Sequence, residues 1–522
     1  MTVRPRVLII CAHFHGDRSF KRDLSLLQPQ AGLQIGSLID PERYEIQIYQ
    51  EMWHGSLTPD RLPPADIVFL SGLAKDFDRQ RQLSYVYRRR GAKVIAGGYF
   101  CTMFPEFAAR FFDAICAGGV DSVRDVMADL EAGALKPIYR SPQTVLSDYR
   151  IRYDMLVDND LHPASHLVEA SRGCNFKCDF CVIPAEGARH TKYGVQRVTQ
   201  AIDDAVAASP FWSLRRWLPT VWFIDNNFGN DLRYLRELCA ELAKDRRLKG
   251  WGALVTQDIL KNRKIIDLMA QSGCAVLFTG LESLDLDFLH RHDKVQNLSK
   301  TTNFVDDIAY AQSRGIVVIY GYLFDPRITS VQAMRAQLDT ILSHRALLFP
   351  SFIAIVSPLV GTKLFWQAAS AGQLRPNLRL RDIDGQTVVY RDCQDPDERL
   401  TAFLTQLFRR PDTLVNRPRH LLDFLRRAWT LRRASPLAHV VHFRAHFRLF
   451  NLAKGRKGGL TLNYMAGEQP LDGHYDHGPP DITPEDRALY FDPILVTDAA
   501  GAPASWLEPY QPAPARAPAM AS

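Results

Sequence analysis

Apolar positions along this chain fall into two alternating series. In the first, residues 7–11 are a short, wholly apolar run of buried-strand type. Residues 30–39 carry helical spacing, residues 44–49 alternate as a strand does, and residues 65–71 form another buried strand. Residues 79–90 read as a polar-faced helix, 92–98 as a strand ending in glycines, and 112–116 as a shorter strand. Strand–helix–strand in this rhythm predicts βαβ units and a parallel sheet covered on both faces. The second series has strand candidates at 167–171, 220–224, 252–256, 275–280, 317–323 and 352–357. Helical stretches lie between them at 198–208, 232–244, 264–273, 284–289, 300–315 and 331–344. Six βα repeats are too few for a closed eight-stranded barrel and suit a partial, open one, with functional groups at the carboxyl ends of the strands.

The predicted fold class is therefore α/β. A doubly wound, Rossmann-like parallel sheet spans 1–135, a linker 136–165, a partial (β/α)6 TIM-like barrel 166–375 and a mainly helical region 376–498. Residues 499–522, rich in Pro and Ala with little to bury, read as a disordered tail.

Composition changes this picture little. The 522 residues are 46% hydrophobic and 23% charged, as in an ordinary globular chain of about three domains. No apolar stretch approaches the roughly 20 residues of a membrane span, and the apolar N-terminal run is short with no small-residue cleavage site after it. A cytoplasmic protein is expected. The net charge of +7 is local. Residues 409–457 hold 13 Lys/Arg with only Asp412 and Asp423 as acids, so the remainder is slightly acidic and no nucleic-acid partner is expected.

Nine cysteines, an odd number thinly spread, do not form a disulfide framework. Three of them, Cys174, Cys178 and Cys181, fall as Cys-x3-Cys-x-aromatic-Cys on the loop after the first strand of the second series. Thiolates are soft ligands for zinc or iron–sulfur clusters. Structural zinc needs four ligands, and only His190 stands nearby as a fourth. Three thiolates on a four-iron cluster leave one iron free for a substrate or cofactor. Chance burial of three cysteines and a zinc site are the alternatives.

The motif, so placed, resembles that of the radical S-adenosylmethionine superfamily. Residues 223–228 (FIDNNF), 279–283 (TGLES), 315–322 (GIVVIYGY) and 357–362 (SPLVGT) resemble its second-, fourth-, fifth- and sixth-strand signatures, in order, over about 166–370. The resemblance implies that Cys174, Cys178 and Cys181 hold a [4Fe–4S] cluster. The fourth iron would chelate S-adenosylmethionine, which is cleaved to a 5′-deoxyadenosyl radical. It places Asp225 and Asn226 at the methionyl amine, and Glu282 and Gln257 at the ribose or methionyl end. Phe180 would lie on the adenine or shield the cluster. Each has a plainer reading as a cap, a strand-end hydrogen bond or core. Arg189 and Tyr193 would help close the site, or else belong to a solvated loop.

The first domain resembles the cobalamin-binding domain that precedes many of these enzymes, through residues 29–39 (PQAGLQIGSLI), 66–72 (DIVFLSG), 93–99 (KVIAGGY) and 103–106 (MFPE). Small residues after strands, Gly97 and Gly98 above all, would let a planar ring approach the backbone. The chain departs from the pattern at 117–121, where AGGVD replaces an acidic segment. It departs also at Cys11, where base-off proteins have Asp ahead of His13-x-x-Gly16. His13 as a cobalt ligand thus lacks its usual orienting acid.

The resemblance implies a cobalamin-dependent C-methylation at an unactivated carbon of a small molecule of unknown class, with a flavodoxin- or ferredoxin-type reductant. A radical cyclisation, rearrangement or oxidation is the alternative, and a non-catalytic iron–sulfur or zinc protein a more distant one. Residues 417–433 form an amphipathic basic helix. It is expected to dock on the barrel with a solvated basic face, or to touch an anionic membrane or acidic partner. His439, His442 and His446 share a helical face, where a metal site is conceivable.

Overall fold

The computed structural model describes residues 4–13, 29–58, 61–144, 150–155, 165–298, 303–409, 414, 417–451 and 478–512. The first sheet is parallel, ordered β2-β1-β3-β4-β5-β6. Its strands are β1 (Arg6–Cys11), β2 (Glu45–Gln50), β3 (Ile67–Ser71), β4 (Lys93–Gly97), β5 (Ala114–Gly118) and β6 (Ile138–Ser141). Period-two alternation divides its core. Val7, Ile9, Phe69 and Ile95 face one apolar layer, and Leu8, Ile10, Val68, Leu70 and Val94 face the other. The strand order reverses between β1 and β3, the crevice where ligands of such sheets sit.

Two expectations change here. Residues 136–165 are not only linker, for Ile138–Ser141 adds a sixth strand and Tyr153 donates a buried hydrogen bond to Leu167 O at 2.9 Å. A four-residue edge strand with two apolar positions is too short to show a period. Residues 499–512 are not a loose tail. Leu507 is fully buried, and Trp506 stacks on Phe107 at 4.2 Å between ring centroids. Residues 513–522 lie outside the described residues.

The second half of the chain supplies much of the first sheet's cover. Phe365, Leu374, Leu380, Tyr390, Phe491 and Val496 join the Leu8–Ile10 layer. A buried ion cluster fastens it: Asp78 accepts from Arg81 at 2.5 Å and from Arg381 at 3.1 Å, and its Oδ1 also takes the Ile494 N–H. The two guanidiniums hold the Asp78 carboxyl below its usual range against the effect of burial.

The second sheet is also parallel, ordered β14-β13-β12-β11-β10-β7: an open half-barrel, as expected. Its strands are β7 (His166–Val168), β10 (Val221–Phe223), β11 (Trp251–Val255), β12 (Cys274–Glu282), β13 (Val317–Phe324) and β14 (Phe352–Ile355). A small antiparallel hairpin of β8 (Ser171–Arg172) and β9 (Thr191–Lys192) closes the base of the loop after β7. Helices cover the convex face around Trp251, Leu277, Val318 and Tyr320. The helix Pro436–Asn451 fills the lower concave face, where Leu437, Ala438, Val441 and Ala445 pack with Trp222, Val276, Val317 and Ile319. Among the described residues no helix is long and apolar enough to cross a membrane.

The basic helix docks rotated from its expected orientation: Arg419 and Arg426 are solvated as expected, but much of the apolar stripe is solvated too. In Arg417–Thr430, His420, Asp423 and Arg427 are buried against the barrel, and Leu421, Leu422, Leu425 and Trp429 face outward. Arg427 donates to Arg345 O (2.9 Å) and Leu347 O (3.1 Å), so a polar anchor overrides the apolar stripe.

Candidate active site

The three-cysteine loop leaves β8 through Gly173. That residue has φ +89°, and a Cβ there would lie 2.6 Å from Arg189 O. Only glycine suits such a position. Two asparagines after β10 clamp this turn. Asn226 Oδ1 accepts from Gly173 N (2.9 Å), and Asn230 Nδ2 donates to Gly173 O (2.9 Å) while its Oδ1 takes Asn175 N (3.3 Å). Asp225 is buried, and both its oxygens are occupied within the chain, by Ala170 N at 2.8 Å and Ser171 Oγ at 2.5 Å. Burial raises its carboxyl to about 7, opposed by those two hydrogen bonds. Asp225 thus anchors the loop's base. Tyr193 is core, with its N–H on Ala170 O, while Arg189 is exposed. His190 lies at the loop's base, its Cα 3.0 Å from where a Gly173 Cβ would be.

A second clamp lies on the far side. Asp179, between Cys178 and Phe180, meets His292 Nδ1 at 3.0 Å, and His292 Nε2 meets Asp325 at 3.2 Å. Arg327 donates to Asp325 at 2.7 Å. Burial pushes the imidazole down, but the two carboxylates prevail and hold it above its usual range. Backbone bonds from Asp179 N to His292 O and from Leu364 N to Asp179 O add to the grip. This network borders a cavity of about 590 Å³.

Two of the thiols, Cys178 and Cys181, share one cation. Lys294 is buried, bonds Glu282 Oε1 at 2.6 Å and lies 5.7 Å over the Phe180 ring. Burial acts to lower its pKa, but Glu282, Cys178 and Cys181 together raise it. Gln296 Nε2 donates to Cys178 Sγ at 3.4 Å. Burial lifts the Cys178 thiol, and that of Cys181 to about 11; Lys294 pulls both toward thiolate. Cys174 acts electrostatically on both of the others. Among the described residues no three His, Cys, Asp or Glu side chains are close enough to hold one metal ion. An iron–sulfur cluster takes its thiolates on separate irons, so its ligands stand further apart. Three thiols, an amide donor and a buried cation fit an anionic cluster of that kind.

Glu282 is held in a rare conformation, φ +63°, at a bulge where the β12–β13 register shifts. Left-handed backbone at a non-glycine residue costs on the order of 1–3 kcal/mol and marks a site the surroundings enforce. Here Asn297 Nδ2 holds the carbonyls of Gly280 (2.9 Å) and Leu281 (2.8 Å). A Cβ on Gly280 would lie 2.0 Å from Glu282 Oε1, so the Thr-Gly-Leu-Glu signature exists to let this carboxylate fold back over its own strand. Gln257 is buried at the start of Gln257–Lys261, directly after β11. Sequence reasoning missed Lys294, Gln296 and the His292 network. All lie in or just after the short helix Leu286–Arg291, where no periodic or motif signal marks them.

Below Glu282 the concave face is apolar. Adjacent strands bring Trp222, Gly252 and Val276 into one row, Leu254, Phe278 and Ile319 into the next, then Gly280, Gly321 and Phe352. The Trp222 ring covers Gly252, and Phe278 and Phe352 flank Gly321. None of these positions is polar.

The first sheet meets this end of the barrel. Tyr99 Oη donates to Val360 O at 2.7 Å, and a Cβ on Gly361 would lie 3.2 Å from that hydroxyl. Cys181 and Glu186 both act on Tyr99 electrostatically. Gln30 donates to Leu167 O, and Gln34 bonds both Glu169 and Arg172. The 29–39 motif is thus partly an inter-domain contact. Its glycines face the sheet: a Cβ on Gly32 would meet Ile48 at 2.8 Å, one on Gly36 Met155 at 3.0 Å. Gly118 and Gly119 are packed against Ser141 and Pro142. Among the described residues, what remains open is a ledge of exposed Leu73, Gly97 and Gly98. A Cβ on Gly97 would make only ordinary contacts, at 3.5 Å or more, and neither Gly97 nor Gly98 carries a side chain, so the backbone there suits a flat ring. His13 does have an acid beside it, Asp76 at 3.6 Å, supplied by the segment after β3. His442 and His446 are stacked on Phe424, and His446 on His420, in the C-terminal helices, away from this site.

No family model matches the chain. It is 23% identical over 365 residues to the bacteriochlorophyllide d C-8(2)-methyltransferase of Chlorobaculum tepidum, spanning 67% of this chain and 78% of that protein. It is 23% identical over 341 residues to the hopanoid C-2 methylase of Rhodopseudomonas palustris, spanning 62% of this chain and 61% of that one. Its fold matches the cobalamin-dependent S-adenosylmethionine radical enzyme OxsB, solved with aqua-cobalamin and S-adenosylmethionine, with TM-score 0.59, 14% identity and 85% and 72% of the two chains covered. It also matches the radical S-adenosylmethionine methyltransferase TsrM of Kitasatospora setae, solved with tryptophan and a S-adenosylmethionine analogue, with TM-score 0.56, 15% identity, and 72% and 78% covered. The chain is thus similar in sequence to these methyltransferases, and it shares its fold with radical S-adenosylmethionine enzymes solved with cobalamin or an S-adenosylmethionine analogue.

Proposed function

We propose that this chain methylates a carbon atom of an apolar small molecule, using a [4Fe–4S] cluster on Cys174, Cys178 and Cys181, S-adenosylmethionine, and cobalamin on the Gly97–Gly98 ledge. One observation carries the reading. The thiols with Lys294 and Glu282, the ledge beside Tyr99 and the apolar floor of the half-barrel all border the same end of the molecule. The methyltransferase relatives support the transfer chemistry. Bound there, these groups supply a 5′-deoxyadenosyl radical that abstracts hydrogen and a methyl group that replaces it.

The chain's own residues bind and exclude. Lys294 offsets the charge of the Cys178 and Cys181 thiolates, and Gln296 holds Cys178 by an amide donor. Asp225, Asn226 and Asn230 fix one side of the loop and Asp179 the other. Glu282, with one oxygen on Lys294, is the acceptor for a ribose hydroxyl or the methionyl ammonium, and Gln257 lies one strand away for the same ligand. Phe180 seals the cluster from behind, packed with Phe288 and Leu364. The floor of Leu254 and Phe278 offers dispersion and no hydrogen bond, which selects a carbon-rich substrate and keeps water from a reactive radical. A flavodoxin- or ferredoxin-type protein is the reductant proposed.

The test is metal and product together, after anaerobic purification from cobalamin-fed cells. About four irons and about one cobalt per chain are expected. S-adenosylmethionine should then yield both 5′-deoxyadenosine and S-adenosylhomocysteine. Iron without cobalt, and 5′-deoxyadenosine without S-adenosylhomocysteine, would sink the methyl transfer.

A further inference from the structure

The end of the half-barrel opposite the active site carries two exposed apolar surfaces. The first is the outward stripe of the helix Arg417–Thr430. Leu421, Leu422, Leu425 and Trp429 sit at helical spacing and are between 49 and 70% exposed. The second is the segment before β10. Phe211, Trp212, Leu214 and Trp217 fall within seven residues and are between 56 and 74% exposed. Single exposed leucines are ordinary, but two Trp-bearing groups at one end of a sheet are not.

Neither surface is a frayed loop. The Trp217 indole donates to Phe211 O at 2.8 Å, and the two rings meet edge to face at 5.2 Å. Arg216 donates to Ala207 O and Ser209 O, both at 2.9 Å. The helix is anchored by Arg427 through the carbonyls of Arg345 and Leu347. Phe211–Trp217 leads into β10, and the helix is bonded to the segment that leads into β14, so both lie at the sheet's amino-terminal end. Ala434 and Ser435, just past the helix, meet Gly315 and Gly250 there.

Charge decides what covers them. Arg419, Arg426, Arg432, Arg433 and Arg444 are exposed around the first surface. The one acid in 417–446, Asp423, is turned inward and buried. Residues 205–219 contain no acid. A two-fold contact with a second copy would set arginine against arginine. Indole and leucine tips ringed by cations match the headgroup region of an anionic bilayer.

We infer that this end of the half-barrel is a peripheral docking face for anionic lipid, with Leu425 and Trp429 from one surface and Trp212 and Leu214 from the other entering the headgroup layer. The full-length chain should co-sediment with phosphatidylcholine vesicles containing phosphatidylglycerol at least about tenfold more than with pure phosphatidylcholine, and less as salt rises. Leu425→Glu/Trp429→Glu and Trp212→Glu/Leu214→Glu should each lower that recovery several-fold. Because all four side chains are exposed, iron content and circular dichroism should be unchanged. Equal recovery on neutral and anionic vesicles, no recovery on either, or variants that bind as the parent does would overturn the inference. So would a vesicle-free dimer that Leu425→Glu/Trp429→Glu converts to monomer, since the face would then belong to a second copy.

Discussion

Two parallel sheets in this chain end their strands alike, in glycines and polar residues, and use them oppositely. At the first sheet most of those positions are filled from within. Gly118 and Gly119 are pressed on Ser141 and Pro142, Gly72 lies close under Gln80 and Ala12, and Glu51 is buried in an ion pair with Arg79. At the half-barrel the room such residues leave is taken by the side chains of the candidate site. Gly280 makes room for Glu282, Gly321 lies between two phenyl rings, and two of the three thiols act on a buried lysine. A glycine after a strand therefore signals a ligand only where the room it leaves is open or is taken by a side chain of the candidate site. By that criterion the first sheet retains, among the described residues, an open ledge at Gly97 and Gly98.

The contrast can be broken most severely at the thiols. Replacing Cys174, Cys178 or Cys181 by Ala should abolish 5′-deoxyadenosine formation and most bound iron, leaving the first sheet's thermal transition where it was. Retained cleavage in any one variant would refute the cluster assignment. Lys294→Met comes next. It strands the Glu282 carboxylate in a buried site, which costs about 3–5 kcal/mol when one partner of such a pair is removed. Lys294→Met with Glu282→Gln should recover much of that stability and none of the activity. If the double variant is no more stable than the single one, the pair is not what holds the bulge.

Gly118→Ala tests the filled side. Its Cβ would lie 1.9 Å from Ser141 O at φ +103°. Overpacking against backbone at a left-handed position should cost roughly 2–4 kcal/mol and shift urea midpoints, with iron per chain unaffected in the material that folds.

The sequence revealed the two sheets because their buried strands are period-two or wholly apolar runs, and it revealed the thiols because their spacing is chemical. It did not reveal Lys294, Gln296 or the Asp179–His292–Asp325 chain, since these converge only through folding and follow no local period. Asp225 was legible as a strand-end acid, but its two occupied oxygens were not. Amphipathicity of residues 417–430 was legible too, yet its direction was set by Arg427 reaching carbonyls some 80 residues away in sequence. The cover of the first sheet, drawn from beyond residue 360, was invisible because each piece is short and irregular.

The covers of the two sheets should respond differently to acid. Burial, with Arg427 and neighbouring histidines, lowers His420 and His442 to about 4 in the C-terminal helices. The unfolded chain binds those protons near pH 6.5, so stability of that cover falls as pH drops from about 6.5 to about 4. The first sheet's cover, 360–390 and 478–512, contains no histidine. Its Asp78 is held below the ordinary carboxyl range, so that contribution persists above the unfolded pKa and is lost only beneath this window. Hydrogen exchange at pH 7 and pH 4.5 should show faster exchange in 417–446 and little change in 485–507. Parallel loosening of both would mean that the stacked histidines do not control their helices.

The smallest effect on stability is expected from Gly97→Ala, and it sharpens the comparison most. A Cβ at Gly97 meets Cys116 O and Cβ at 3.5 and 3.6 Å, ordinary contacts, so folding should change by less than about 1 kcal/mol. That Cβ would also stand on the ledge where a flat ring would lie against backbone. Cobalt retained after gel filtration should then fall while iron and the thermal transition stay as in the parent. Gly91→Ala, with open space around it and φ +85°, is the control for loss of a glycine alone. Full cobalt in Gly97→Ala would move the corrinoid off this ledge and leave the first sheet filled from within at every strand end.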